Sequence, residues 1–101
     1  MKKYWVYILR CDNNSLYTGY TDDLIRRYHS HKKGTGSKYT RSFKPKFVAQ
    51  CWEITGEKGL AMQVEHQIKK MSREEKERVI LVPSTLSNNP MVRPGIVPTD
   101  L

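Results

Sequence analysis

The sequence predicts a small α+β domain in which short strands alternate with helices. The first observation is a pair of apolar runs, residues 4–10 and 16–20, joined by the polar turn residues 12–15, a pattern typical of a β-hairpin. The second is the helical spacing of apolar residues after the hairpin and again over 60–71. A chain of 101 residues with 38% hydrophobic content is long enough for one modest core, so we expect one compact domain.

The first strand is predicted to lie in the centre of the sheet. Both alternating sets of side chains in residues 4–9 are apolar, aromatic or β-branched, which indicates that both faces of the strand are covered. Tyr17 lies on the returning strand and shares a face with Tyr7 only if the connecting loop has an odd number of residues, about three or five. Gly19 leaves open space beside these tyrosines, which the backbone of a bound ligand could occupy.

A helix is predicted to follow the hairpin, with Thr21 or Asp22 as its N-cap and Gly34 closing it. At helical spacing, Arg27 and His31 lie one turn apart on the flank of this helix, from which a side chain can reach over the sheet edge. The predicted buried stripe consists of three side chains: Leu24, Ile25 and Tyr28.

The middle of the chain is predicted to contain a loop, a third strand and a second helix. Residues 34–46 have no useful periodicity and are predicted to form a long, basic, mobile loop. Residues 47–54 are apolar enough for a strand, and residues 60–71 have helical spacing. Glu65 falls at the margin of the apolar face of that helix, so its carboxylate either makes a polar contact on the helix surface or points into a cleft.

The end of the chain is predicted to contain one more helix and a tail. Ser72 and Glu75 form a capping-box pattern, which predicts a helix that ends before Pro83. We therefore expect the domain to occupy residues 1–82. Residues 83–101 are rich in proline and lack periodicity, so we expect a poorly ordered tail.

The positive charge is concentrated in one segment of the chain. The formal net charge is +8, and residues 24–52 contain eight Lys or Arg residues and no Asp or Glu. Four aromatic residues are interleaved with these cations: Tyr28, Tyr39, Phe43 and Phe47. A surface that neutralises phosphates and stacks bases needs this combination. A solvated basic loop, and a module that binds an anionic membrane or a protein, are the alternatives.

Several other classes of protein are not favoured by the sequence. It contains no apolar stretch of membrane-spanning length and no signal-peptide pattern, so we expect a cytoplasmic protein without a membrane partner. Cys11 and Cys51 lie in or beside apolar runs, which favours buried thiols over a disulfide. Without a second cysteine pair or an HxxxH motif on a helix, we expect no zinc site. We expect a monomer or a weak oligomer.

The order of elements and motifs resembles that of the GIY-YIG nuclease domain family. The first motif stands as Trp5-Val6-Tyr7 and the second, ten residues later, as Tyr17-Thr18-Gly19. Arg27 follows in the next helix, within DDLIRRYHSH, and Glu65 in the later one, within AMQVEHQIKK. The resemblance covers about residues 4–82 and is closest to the small stand-alone bacterial members of the family.

This resemblance implies a three-stranded antiparallel sheet flanked by helices, in an α/β sandwich-like arrangement, and metal-dependent cleavage of phosphodiesters. Glu65 would hold one Mg²⁺ or Mn²⁺. Tyr7 would orient the attacking water or accept its proton, and Tyr17 would assist at the phosphate. Arg27 would bridge phosphate oxygens with its planar set of donors. His31 would position water or a tyrosine, or would shuttle a proton.

The implied partner is nucleic acid, DNA rather than RNA, selected by its structure because so short a chain has little room for base readout. Nine residues are predicted to contact it: Gly19, Arg26, Lys32, Lys33, Lys38, Tyr39, Arg41, Lys44 and Lys46.

Two alternatives accompany this interpretation. The family commonly has an Asn beyond the metal-binding Glu, and this chain has none between Glu65 and Ser87. A catalytically weak or inactive nucleic-acid-binding protein that retains the fold is therefore the alternative function. Taken one at a time, the site residues also have structural interpretations, since Tyr7 and Tyr17 would pack well across two strands of any sheet.

Overall fold

A computed structural model describes residues 2–99 as a four-stranded antiparallel sheet with helices on both faces. The elements in chain order are β1 (Lys3–Cys11), β2 (Leu16–Thr21), α1 (Leu24–Lys33), α2 (Lys38–Ser42), β3 (Pro45–Thr55), α3 (Lys58–Lys69), α4 (Arg73–Leu81), a 3₁₀ turn (Pro83–Thr85) and β4 (Val92–Pro94). The strand order β2-β1-β3-β4 confirms the central position of β1. The predictions for residue 1 and for residues 100 and 101 lie outside the described residues.

The sheet separates two hydrophobic cores. One face packs against α3 and α4, and its main buried residues are Val6, Ile8, Trp52, Ile54, Ala61, Val64, Ile68 and Val79. The other face packs against α1, and its buried residues are Tyr7, Leu9, Cys11, Leu24, Tyr28, Val48 and Cys51. Because β1 contributes to both cores, its side chains are fixed on both faces. Within residues 2–99, no helix has the length and apolar character needed to cross a bilayer.

The loop between β1 and β2 has the odd length that the sequence analysis required. The amide of Cys11 donates to the carbonyl of Ser15 at 2.9 Å, which leaves three residues in the loop. The third, Asn14, has a left-handed backbone with φ of 64°, as is usual at this position of a three-residue hairpin loop. The resulting register places Tyr7 and Tyr17 on the same face of the sheet, that of α1.

Helix α1 ends as predicted but is rotated slightly from the predicted orientation. Asp23, rather than the predicted Thr21 or Asp22, caps its N-terminus by accepting from the amide of Arg26 at 3.1 Å, and Gly34 closes it with φ of 83°. Ile25, predicted to be buried, is 45% exposed, whereas His31 is fully buried rather than on the flank. The buried stripe follows i, i+4, i+7 spacing and consists of Leu24, Tyr28 and His31.

The segment predicted to be a long mobile loop, residues 34–46, contains helix α2. Ser37 caps this short helix, because its hydroxyl accepts from the amide of Thr40 at 3.1 Å. Thr40 is fully buried and so fixes the helix against the rest of the domain. A helix of five residues is too short to produce a periodic pattern, so it could not be predicted from the spacing of apolar residues.

The sheet has four strands rather than the predicted three, and the fourth comes from the predicted tail. Strand β4 pairs antiparallel with β3, with Arg93 opposite Glu53. Leu86 and Val92 of the same region are buried in the core that faces α3 and α4. A strand of three residues that includes a proline lacks the alternation that reveals longer strands, and an edge position tolerates the missing proline N–H.

Helix α4 begins with the predicted capping box at Ser72. Ion pairs and hydrogen bonds join it to the end of β1 and to the β1–β2 loop. Arg10 donates twice to the carboxylate of Glu77, at 2.7 and 2.9 Å. Arg73 donates to Glu77 at 3.0 Å and to the carbonyl of Asn14 at 2.8 Å. The hydrogen bond from Arg10 is the main cause that lowers the pKa of Glu77 from 4.5 to about 2.

We expect Glu77→Gln to lower the free energy of unfolding at pH 7 by about 1 kcal/mol, because the pair is partly screened by solvent. The pKa of Glu77 is lower in the folded state, so this stabilisation is present above about pH 4.5 and is lost as the pH falls toward 2. Urea unfolding between pH 2 and 7 measures the difference. Glu57→Gln, at an exposed carboxylate without a capping hydrogen bond, is the control. A difference between wild type and variant that does not shrink in acid would contradict the assignment.

Candidate active site

One open pocket of about 580 Å³ collects the side chains that the sequence analysis singled out. Four of the five residues predicted for catalysis or metal binding line it: Tyr7 of β1, Tyr17 of β2, Arg27 of α1 and Glu65 of α3. We call these the four pocket residues. Lys2, Arg26 and Lys58 also line the pocket, so its walls carry more positive than negative charge. Residues separated by more than fifty positions in the chain therefore face one solvent-accessible space.

Tyr7 is held in the floor of the pocket. Its side chain is almost fully buried, and its hydroxyl forms a hydrogen bond with Nε2 of His31 at 2.8 Å. Burial raises the pKa of Tyr7 to about 12, although a hydrogen bond and the positive charge of Arg27 act in the opposite direction. The phenol is therefore protonated at neutral pH.

His31 lies behind Tyr7, without exposure to solvent. Its Nδ1 forms a hydrogen bond with the hydroxyl of Thr40 at 2.7 Å, and the ring of Tyr17 meets the imidazole edge to face at 5.1 Å. Burial, followed by the charge of Arg27, lowers the pKa of His31 to about 4, so the imidazole is neutral at pH 7. The predicted contact of His31 with a tyrosine is present in this geometry, and a part in proton transfer stays a prediction.

Two glycines allow this close packing. A Cβ at Gly19 would lie 2.5 Å from the Tyr7 hydroxyl oxygen, and a Cβ at Gly36 would overlap with Nδ1 of His31. The prediction of open space for a ligand beside Gly19 is therefore wrong, since the phenol end of Tyr7 fills that space. The physical reason is the hairpin register, which sets Tyr7 directly opposite Gly19.

Arg27 is half-buried at the pocket wall and is held in place by the backbone. Its Nη2 donates to the carbonyl of Gly36 at 3.2 Å, which joins α1 to the segment that leads into α2. A guanidinium has five N–H donors, so this single bond leaves donors for an anion in the pocket. The position of Arg27 suits a phosphate group that enters beside Tyr7.

Glu65 supplies a carboxylate at the rim, with its side chain 20% exposed and 3.6 Å from the ammonium of Lys69. Across residues 2–99, no group of three or more His, Cys, Asp or Glu side chains could together hold a metal ion. A single carboxylate beside open solvent fits Mg²⁺ or Mn²⁺, which retain waters and take further oxygens from a phosphate. The donor set therefore fits the predicted type of metal.

Of the nine residues predicted to contact nucleic acid, two line the pocket and the others lie elsewhere on the surface. Gly19 and Arg26 line the pocket, and Tyr39 stacks on Tyr17 at the rim, with ring centroids 5.9 Å apart. Lys32 and Lys46 line a separate groove beside Phe47. The other four predicted cations are exposed near the end of α1 and around α2: Lys33, Lys38, Arg41 and Lys44.

The residues that support His31 from behind were not predicted from the sequence. Thr40 and Ser37 were included in the predicted loop, and their hydroxyl oxygens lie 2.9 Å apart. The spacing of Ser37 and Thr40, N-cap and third helical residue, is the one signal that could have revealed them. Lys69, the partner of Glu65, was also not singled out.

The chain is similar to known proteins in sequence and in fold. The GIY-YIG catalytic domain family matches residues 3–78. A UPF0213 protein of Staphylococcus haemolyticus is 42% identical over 80 residues, which cover 79% of this chain and 96% of that protein. One from Natronomonas pharaonis is 44% identical over 77 residues, 76% of this chain and 89% of that protein. The solution NMR structure of a UPF0213 protein from Bacillus halodurans is similar with a TM-score of 0.50 and 37% identity, covering 79% of this chain and 84% of that one.

We expect Gly19→Ala to lower the free energy of unfolding by about 1–3 kcal/mol, because the added methyl group displaces the ring of Tyr7 in a packed core. Gly59→Ala is the matched control, since nothing lies within 4 Å of its added Cβ and the residue is in helix α3. The control should be neutral or stabilising by about 0.5 kcal/mol. Chemical unfolding of both variants measures the contrast, and equal effects would show that the Tyr7 contact is unimportant.

Proposed function

The chain belongs to the GIY-YIG catalytic domain family, and on that premise we propose that it is an endonuclease that hydrolyses phosphodiester bonds with a divalent cation. The observation that carries the proposal is the convergence of the four pocket residues on one open space. Hydrolysis of a phosphodiester needs a proton acceptor for water, positive charge at the phosphoryl oxygens and assistance for the leaving oxygen. The pocket contains a residue suited to each of the first two tasks, and cations for the third.

Arg27 is proposed to bind the scissile phosphate. A guanidinium matches two phosphate oxygens at once, and the bond to Gly36 holds its direction before substrate arrives. Tyr17 lines the same wall and is proposed to donate its hydroxyl to a phosphate oxygen. Both contacts strengthen as negative charge builds on the phosphoryl oxygens in the transition state.

Glu65 is proposed to hold Mg²⁺ or Mn²⁺, and when bound the ion supplies charge stabilisation at phosphate oxygens. The ammonium of Lys69 lies 3.6 Å from the Glu65 carboxylate and would be displaced from it by a cation. Lys69 also lines the groove that continues from the pocket past Tyr17 and Tyr39. The released ammonium is therefore placed to meet the phosphate of a neighbouring nucleotide.

Tyr7 is proposed to orient the attacking water and to accept its proton. With the pKa of Tyr7 at about 12, the phenol acts as an acceptor only if its own proton has somewhere to go. Burial keeps the imidazole of His31 neutral, and its Nε2 lies 2.8 Å from the Tyr7 hydroxyl oxygen, so it is the group placed to accept that proton. Tyr7 and His31 would therefore work as a pair.

The proposed substrate is DNA with unpaired nucleotides, such as a flap or a branch. Tyr39 is 38% exposed at the rim, stacked on Tyr17, and lines a groove with Lys69 and Lys76. An exposed ring beside ammonium groups binds a base by stacking and its phosphate by charge, without reading sequence. The cations around α2 extend the same charge toward the flanking duplex.

A nucleic-acid-binding protein with weak catalysis is the second candidate. In the described part of the chain no asparagine lines the pocket. Asn88 and Asn89 lie in the connection that precedes β4, at the edge of the sheet opposite β2. Salt-dependent binding without cleavage, across flapped, branched and duplex DNA in both Mg²⁺ and Mn²⁺, would favour this candidate over the first.

We expect Tyr7→Phe, Arg27→Ala and Glu65→Gln each to reduce the rate of cleavage by about 10²-fold or more, because each removes a separate part of the chemistry. Binding of flapped DNA should change much less, since the cations around α2 are retained. Single-turnover cleavage of a labelled flap in Mg²⁺ measures the rates. Glu57→Gln is the control, as its carboxylate is exposed at the start of α3. Full activity in any of the three variants would refute the role proposed for that residue.

We expect Tyr39→Ala to weaken binding of single-stranded and flapped DNA by about 5- to 100-fold, because alanine removes the surface on which a base stacks. Tyr39→Phe is the matched control: it keeps the ring and loses only the hydroxyl that donates to Ser15. Fluorescence anisotropy at several salt concentrations measures both affinities. If the phenylalanine variant binds as weakly as the alanine variant, the hydroxyl rather than stacking is responsible.

A further inference from the structure

A buried chain of hydrogen bonds leads from the pocket into helix α2. It runs from the Tyr7 hydroxyl to Nε2 of His31 at 2.8 Å, and from Nδ1 of His31 to the Thr40 hydroxyl at 2.7 Å. The Thr40 hydroxyl then lies 2.9 Å from that of Ser37. His31 and Thr40 have no exposure to solvent, so water cannot replace either partner. We call Tyr7, His31 and Thr40 the relay.

The hydroxyl of Thr40 is the hydrogen-bond partner of the buried Nδ1 of His31. For residues 2–99, every buried side-chain nitrogen and oxygen atom has a hydrogen-bond partner. A valine at position 40 would have nearly the same shape but would leave Nδ1 of His31 facing a methyl group. An unpaired polar group in a buried place is unfavourable, so the hydroxyl has a specific purpose here.

The protons of the relay have two possible arrangements, because a neutral imidazole donates from one nitrogen and accepts at the other. In the first, Tyr7 donates to Nε2 and the Nδ1–H donates to Thr40. In the second, Thr40 donates to Nδ1 and the Nε2–H donates to Tyr7. Even with its pKa raised by burial to about 12, the phenol of Tyr7 is a stronger acid than an aliphatic alcohol. It is therefore the better donor, and the alcohol oxygen is the better acceptor.

The first arrangement also gives the hydroxyl proton of Thr40 an acceptor in helix α2. When Thr40 accepts from Nδ1, its own hydroxyl proton can be donated to the Ser37 hydroxyl at 2.9 Å. Ser37 in turn accepts from the amide of Thr40 at 3.1 Å as the cap of α2. The helix cap and the imidazole are thus part of one network.

We propose that Thr40 is a positioning residue that holds His31 in the Nδ1–H tautomer, so that Nε2 receives the phenolic proton of Tyr7. This inference rests on the proposed nuclease function for its purpose, and on the hydrogen bonds of α2 for its geometry. It assigns a role in the reaction to a residue of α2 that touches neither the pocket nor the substrate.

In the proposed step one proton moves along the relay and is later returned to solvent. Water gives a proton to the Tyr7 oxygen while the proton of Tyr7 moves to Nε2 of His31. The hydroxide oxygen forms a bond to phosphorus, the bond from phosphorus to the leaving oxygen breaks, and the leaving oxygen takes a proton from bulk water. His31 then returns its proton through Tyr7 to bulk water, and the relay is restored. During the step the imidazolium keeps its Nδ1–H bond to Thr40.

Substrate binding favours this transfer through Arg27. In the free protein burial is the larger cause that lowers the pKa of His31, and the charge of Arg27 is the second. A phosphate bound to the guanidinium offsets that charge and so lessens the repulsion toward an imidazolium. The relay is therefore expected to accept a proton more readily with substrate in place than without it.

The tautomer of His31 can be measured directly by ¹⁵N NMR, because protonated and unprotonated ring nitrogens have well separated chemical shifts. In the wild-type protein near pH 7 we expect Nδ1 protonated and Nε2 unprotonated. Thr40→Ser, which keeps the hydroxyl, should retain this pattern, and Thr40→Val should lose it. The exposed residues His29 and His66 provide reference signals in the same spectra. A protonated Nε2 in the wild type, or an unchanged pattern in Thr40→Val, would overturn the proposal.

Cleavage assays give the second readout. Thr40→Val should lower kcat by about 100-fold with KM changed by less than about twofold, because tautomer selection affects the chemical step. Thr40→Ser should restore kcat to within a small factor of wild type. An equal loss in both variants would overturn the role of the hydroxyl.

The two readouts separate two kinds of failure. Should Thr40→Val not fold, the wild-type spectrum and the spectrum of Thr40→Ser still decide the tautomer. Absence of cleavage by the wild type, with the expected tautomer present, would refute the proposed nuclease function and leave the hydrogen-bond assignment supported.

Discussion

The register between β1 and β2 is the constraint on which the pocket depends. A three-residue loop puts Tyr7 opposite Gly19, and so places the phenol of Tyr7 and the ring of Tyr17 on the face of α1. A slip by one residue would turn the side chains of one strand to the opposite core. The ion pair between Arg10 and Glu77 and the hydrogen bond from Arg73 to the carbonyl of Asn14 join α4 to this hairpin and stabilise its turn. The length of the loop therefore determines both the packing of the core and the position of the site.

Burial has opposite effects on the pKa values of Tyr7 and His31, and both effects favour the neutral form. The same removal from water raises the pKa of Tyr7 and lowers that of His31, so both are neutral before substrate binds. A neutral phenol beside a neutral imidazole costs little to bury and leaves a proton available to move between them. The nearby charge of Arg27 opposes an imidazolium until an anion offsets it.

The sequence predicted the parts of the fold that have long patterns. The hairpin, the end of α1 at Gly34 and the capping box at Ser72 follow from local chemistry that few other structures satisfy. Helix α2 and strand β4 were missed because five and three residues are too few to show a period. Ile25 was misplaced because one step of 100° separates the centre of a helical stripe from its edge.

Part of the candidate site could also be predicted from patterns in the sequence. The four pocket residues belong to motifs with fixed spacing, and the structure does bring them to one pocket. Their roles in catalysis stay predictions. Thr40 could not be recognised, because its importance comes from a contact with His31 across a segment without periodicity. Residues that act through another residue leave little trace in a single sequence.

Local opening of helix α2 affects the fraction of molecules in which Tyr39 and Thr40 are both in place. Tyr39 and Thr40 are neighbours in it, one turned toward the rim and the other toward the core, and Ser37 holds both through one cap. Short elements open locally at a lower free energy than the whole domain. Each such opening would remove the stacking ring and the imidazole partner together. Under the proposed function, the fraction of molecules competent for cleavage equals the fraction in which α2 is closed, and amide hydrogen exchange at Thr40 would report it.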